Sequence, residues 1–223
     1  MKKQFIFSLI FVAIAAFAFT HSGENSWFHK NTGGPPAGYS GDPAGGNQNC
    51  TSCHSGSPAQ METGWITSNI PSGGYIPGTT YTITATATGA SVTKFGFQVS
   101  PQSSSGTFLG TLVNTGNQTQ LSSNQKYIHQ TSAGTSGSGS KTWTFNWVAP
   151  DAGSGTVIFY GAFNLTNSGN NTSGDVIKLS TLTVNEDTST DIQSNQMSDD
   201  FNIFPNPSDD YLHIRSDISG RQT

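Results

Sequence analysis

Lys141-Thr142-Trp143-Thr144-Phe145-Asn146-Trp147-Val148 alternates large aromatics with polar residues. Successive side chains of a strand leave opposite faces, so Trp143, Phe145 and Trp147 point one way and Thr142, Thr144 and Asn146 the other. Three aromatics on one face predict a buried stripe that dominates a core. The same period of two recurs upstream: Tyr81, Ile83, Ala85 and Ala87 alternate with threonines, and Phe95, Phe97 and Val99 alternate with Gly96 and Gln98. Downstream, Val157, Phe159 and Phe163 face one way and Ile158, Tyr160 and Ala162 the other. Two apolar faces predict a central strand. A last run, residues 175–184, changes phase at Ser180-Thr181, which predicts a bulge. Turn clusters such as Pro101 to Gly106, Ala133 to Gly139 and Pro150-Asp151-Ala152-Gly153 separate these runs. About seven short strands at this spacing, with no helical period, predict an all-β antiparallel β-sandwich over residues 71–185.

The 223 residues are 10% charged and 33% hydrophobic, with a formal net charge of −4. That balance excludes a strongly basic nucleic-acid binder, and nucleic acid is not an expected partner. A polytopic membrane protein is also excluded, because a long apolar run occurs only in the first twenty residues. Lys2 and Lys3 followed by the apolar stretch 5–18 have the pattern of a secretory signal peptide, residues 1–18. A retained anchor is the alternative, and the run falls short of the ~20 apolar residues that a spanning helix needs. Export through the periplasm to the surface or the medium is therefore expected. Charge shifts along the chain: residues 186–200 are acidic and poor in apolar side chains, which predicts a linker.

Both cysteines lie in Cys50-Thr51-Ser52-Cys53-His54, within a loop-rich segment, residues 19–70. C-x-x-C-H is the attachment pattern of c-type haem. Two thiols at this spacing add to the vinyl groups of one porphyrin, and the adjacent imidazole reaches the iron. Cys50 and Cys53 are thus the candidate attachment residues and His54 the candidate axial ligand. Three other uses of the pair compete with this one. A Cys50–Cys53 disulfide would close a very small loop and stabilise little. Redox thiols prefer a βαβ setting, whereas Gly45, Gly46, Gly56 and Pro58 flank this pair. Zinc needs further well-spaced ligands, and there is no second C-x-x-C. The sixth iron position draws on Met61, His129, His29, His21 or Met197.

Residues ~70–185 resemble the reelin-type (reeler) β-sandwich. The resemblance is carried by Tyr75-Ile76-Pro77-Gly78-Thr79-Thr80-Tyr81, Phe95-Gly96-Phe97-Gln98-Val99, the tryptophan strand ending in Ala149-Pro150, and residues 155–164. The segment Gly33-Gly34-Pro35-Pro36-Ala37-Gly38-Tyr39-Ser40-Gly41-Asp42-Pro43 resembles that of exported bacterial proteins placing C-x-x-C-H before a reeler-like domain. That resemblance implies a His before the tryptophan strand as a feature of the site, and it ranks His129 ahead of Met61 as the second metal ligand. Phe201-Asn202-Ile203-Phe204-Pro205-Asn206-Pro207 resembles the opening of the C-terminal sorting domain of type IX secretion, so residues 201–223 read as a truncated copy.

Together these readings predict an exported c-type haem protein that passes single electrons, with haem c (iron) as cofactor. Its expected partners are a redox protein and the haem-attachment and secretion machineries. No Ser-His-Asp set or paired-carboxylate site stands out, and an enzyme is not predicted. Asp151 and Asp175 read as solvated or turn-forming. The competing reading is a secreted adhesion module, whose loops take a glycan or protein ligand and whose cysteines form a disulfide.

Overall fold

The computed structural model describes residues 33–169 and 171–188, together with the backbone of 202–204 and 213–215. The expected signal peptide, His21, His29, Met197 and most of the expected acidic linker lie outside the described residues.

The described part of the first compact unit, which ends at Asp187, is built from two sheets. The aromatic stretch forms β9, Ser140–Val148, and pairs antiparallel with β4, Thr80–Thr88, from Thr80↔Val148 to Thr88↔Ser140. β3, Ile66–Ser68, and β6, Thr111–Val113, flank them, giving the order β3-β4-β9-β6. The facing sheet runs β1-β11-β10-β5-β8-β7. Its strands are β1, Ser55–Gly56; β5, Phe95–Gln102; β7, Thr119–Leu121; β8, Ile128–Gln130; β10, Val157–Leu165; and β11, Ser173–Val184. A two-residue β2, Gln60–Met61, also pairs with β11. The molecule is therefore an all-β sandwich, and no α-helix occurs among the described residues.

Aromatic contacts between the sheets make the core. Trp143 stacks on Phe97 with centroids 4.4 Å apart, and Trp147 meets Phe159 edge-on at 5.1 Å and Tyr75 at 5.3 Å. Each indole N–H finds a carbonyl: Trp143 Nε1 donates to Gly134 O at 2.8 Å and Trp147 Nε1 to Leu109 O at 3.0 Å. Burying a large side chain of this kind contributes up to about 3 kcal/mol, provided that its polar atom is also satisfied. Gly161 faces inward on β10, where an added Cβ would come within 2.6 Å of Ile66 Cδ1. The two sheets thus approach closely at that point.

β10 is central, paired with both β11 and β5, as its two apolar faces predict. What covers the outward face is the chain before the cysteines. Residues 33–49 lie across it and exchange hydrogen bonds with its glutamines: Tyr39 N donates to Gln98 Oε1 at 2.6 Å, Gln98 Nε2 to Pro36 O at 2.8 Å, and Ala44 N to Gln102 Oε1 at 3.1 Å. The bulge expected at Ser180-Thr181 does not occur, because β11 keeps unbroken register with β10 from Val157↔Val184 to Leu165↔Val176. The change of phase has another cause. Asp175 and Ile177 are buried on the covered outer face, whereas Ser180 and Val184 are buried toward the core.

The second unit, beginning at Thr188, contains an antiparallel pair of short strands, β12, Asn202–Phe204, and β13, His213–Arg215, in the register Ile203↔Ile214.

Candidate functional site

Cys50, Thr51 and Ser52 form one turn of 3-10 helix. Asn49 starts it, its Oδ1 accepting from Thr51 N at 2.9 Å, which satisfies a donor that would otherwise be orphaned. Cys53 N and His54 N both donate to Cys50 O, at 3.2 and 2.9 Å. The two thiols therefore belong to a single turn, and His54 is held at its end. The chain then joins the sheet: Ser55 N donates to Thr172 O at 2.8 Å, and Gly56 lies opposite Asp175 in parallel pairing. Any Cβ at Gly56 would sit 2.5 Å from the Asp175 carbonyl oxygen, so only glycine lets the motif come this close to β11.

This approach delivers His54 to a buried carboxylate. His54 Nδ1 lies 2.6 Å from Asp175 Oδ2, and Asp175 is 3% exposed. The imidazole Nδ1–H donates and the carboxylate accepts, which makes Nε2 the acceptor nitrogen of the ring; it lies 3.3 Å from Asn164 Nδ2. Asp175 Oδ1 accepts from Asn167 N at 3.0 Å, and Oδ2 accepts a longer bond from Asn164 Nδ2 at 3.3 Å. Asn164 is itself buried, and its Oδ1 finds no hydrogen-bond partner among the described residues. The reading of Asp175 as a solvated or turn residue is thereby corrected: it lies in β11, buried, as the partner of His54. A signal did exist. Asn164 interrupts the apolar strand Phe163-Asn164-Leu165, and Asp175 stands in phase with Ile177, so both are polar residues at core-type positions.

Cys50 and Cys53 are free thiols, Cys50 half-buried and Cys53 exposed. Burial pushes the Cys50 thiol up to about 12, so it is protonated at neutral pH. A thiol held protonated is a poor redox nucleophile, which weighs against the redox-thiol alternative. Among the described residues no three His, Cys, Asp or Glu side chains converge as a metal cage. A cage is indispensable for zinc, whereas haem iron takes four nitrogens from the porphyrin and needs only one or two from the chain. Two thiols on one turn, followed by an imidazole whose other nitrogen is held by a carboxylate, fit haem c.

Of the two described candidates for the sixth position, neither His129 nor Met61 hydrogen-bonds to His54. His129 is in β8, opposite Gln98 of β5, on the same outward sheet face as Asn164. It is 6% exposed, and its Nδ1 lies 3.0 Å from Gln130 O. Gly34, at φ +110°, packs against the imidazole so tightly that a Cβ there would collide with Nδ1. Burial lowers the His129 pKa, opposed by the backbone carbonyls of Gln130 and Gly33. Met61 lies opposite Leu179 at the sheet edge and is 64% exposed.

Fold and site together define an all-β sandwich with a Cys-x-x-Cys-His turn docked on its outer face. No protein-family model matches the chain, and no curated protein matches it. Among solved structures the chain is similar to the human F-spondin reeler domain (fragment 1), with 19% identity, 57% of this chain and 94% of that one covered, and a TM-score of 0.45. It is similar to the Reelin-N domain of F-spondin with 21% identity, 57% and 91% coverage, and a TM-score of 0.44. The sandwich assignment rests on the strand pairing itself.

Proposed function

We propose that this protein is an exported c-type haem carrier that passes single electrons, with Cys50 and Cys53 as thioether attachment points and His54 as an axial iron ligand. The observation that carries this reading is the 2.6 Å contact between His54 Nδ1 and Asp175 Oδ2. A histidine whose second nitrogen is held by a carboxylate is the usual arrangement of a metal-bound imidazole, because that bond sets both tautomer and ring orientation. Bound haem would supply a ferric/ferrous couple that exchanges one electron. The chain's own part is to hold the thiols on one turn, orient His54 and bring the site to the sheet surface, within reach of a redox partner. Met61, which is exposed, would provide the second iron ligand, with the buried His129 as the alternative.

The experiment is to produce the protein with its leader in a host that has haem-attachment machinery. Intact mass should rise by one haem, and the Soret band should survive acid-acetone extraction. Unmodified exported protein would overturn the reading. A second reading, a binding module, draws on a polar cleft of about 310 Å³ lined by Thr115, Asn117, Gln118, Thr142 and Thr144. Glycan-array binding by unmodified protein would favour it.

A further inference from the structure

We propose that Asp175 is a positioning residue for the iron site: it locks His54 in the Nδ1–H tautomer and lends the ring anionic character, which sets a low reduction potential. The proposal rests on the haem reading and goes beyond it by assigning the group that tunes the metal. Its geometric basis is a short bond, 2.6 Å, from an imidazole nitrogen to a carboxylate that is 3% exposed. A charge-assisted bond of that length in a low-dielectric setting is strong, and it draws the Nδ1 proton toward the oxygen. The more that proton is shared, the more basic Nε2 becomes toward a metal.

Charge balance points the same way. Among the described residues no Lys or Arg pairs with Asp175, and its polar partners are the neutral Asn167 N–H, the neutral Asn164 amide and His54. A carboxylate buried with so little compensation favours any added positive charge nearby. Ferric haem carries one more positive charge than ferrous haem, so the oxidised state gains more from Asp175 and the couple moves to lower potential. The local build keeps the carboxylate from turning away. Asn167 N holds Oδ1, Asn164 Nδ2 leans on Oδ2, and the β11 backbone at Asp175 is pinned against Gly56.

Two measurements test this. In the wild-type protein before haem attachment, long-range proton–nitrogen NMR should show neutral His54 as the Nδ1–H tautomer, and D175N should shift it toward a mixture. In the haem-loaded protein, D175N should favour the ferrous form at least tenfold, a rise in midpoint potential of ~59 mV for a one-electron couple. Asp175→Glu, which keeps the carboxylate, should recover most of the shift. A purely structural role for Asp175 would move stability but leave the potential of folded, haem-loaded D175N unchanged, and that result overturns the proposal. So does an Nε2–H tautomer in the wild type, a readout that needs no variant to fold. Wild-type protein that takes no haem overturns the haem reading and this proposal with it, whereas haem-loaded wild type with an unshifted D175N overturns only this one.

Discussion

Asp42 Oδ2 accepts a hydrogen bond from Gln102 Nε2 at 2.5 Å, across 60 positions of chain. The same oxygen accepts from Tyr127 OH at 2.9 Å and from Gly45 N at 2.8 Å, while Oδ1 accepts from Ser40 Oγ at 2.5 Å. Asp42 is fully buried. Asp42 thus helps to bolt the chain leading to the cysteines onto the outer sheet face, alongside the bonds that Gln98 and Gln102 make to Pro36, Tyr39 and Ala44.

Asp42→Ala removes the acceptor for four donors, among them Gln102 of β5 and Tyr127 just before β8. Buried donors left unpaired cost roughly 1–3 kcal/mol each, softened where water enters, so a loss of about 2–4 kcal/mol is expected in urea unfolding. Hydrogen exchange at residues 50–54 should speed up as well. An unchanged midpoint would mean that the segment holds without the bolt.

Thiol reactivity should be unequal in protein without haem. Cys53 is exposed, whereas the Cys50 thiol is pushed up to about 12 by burial. Only the thiolate reacts. Iodoacetamide at neutral pH should modify Cys53 well before Cys50 by peptide mapping, and equal rates would contradict the burial of Cys50.

Alkaline titration should reveal Tyr75. Burial, aided by Glu186, raises its hydroxyl to about 12, and its OH donates to Gly155 O at 2.6 Å. A folded-state value above the unfolded one contributes stability that is complete below about pH 10 and is lost as pH rises toward 12. Denaturant midpoints should fall over that window, and Tyr75→Phe should flatten the fall. An identical slope in the variant would refute the assignment.

Exposure separates the two sixth-ligand candidates. Met61 is 64% exposed on a two-residue strand, whereas His129 is 6% exposed beneath Gly34. In haem-loaded protein, Met61→Ala should produce a high-spin absorption spectrum, and His129→Ala should leave the ligand field unchanged. The opposite pattern would show that His129 leaves its carbonyl partners to reach the iron.

What the amino-acid sequence determined by itself is local. Alternation in Trp143, Phe145 and Trp147 and in Tyr81, Ile83 and Ala85 marks the core faces, because a strand's period of two acts between neighbouring residues. Cys50, Cys53 and His54 were readable because one helical turn suffices to group them. The tertiary structure alone decided the rest. Asp175 stands 121 positions from His54, and no periodicity joins them; pairing of β1 with β11 brings them together, and Gly56 permits the approach. The phase change in β11 looked like a bulge because burial switches from one side of the strand to the other, and which side is covered depends on where residues 33–49 lie. His129 was legible as a strand residue but not as one packed under Gly34, since that contact is set by the distant hydrogen bonds that hold the covering segment in place. Pairing partners far apart in the chain are selected by the energy of the whole packed arrangement, and no short window of sequence contains it.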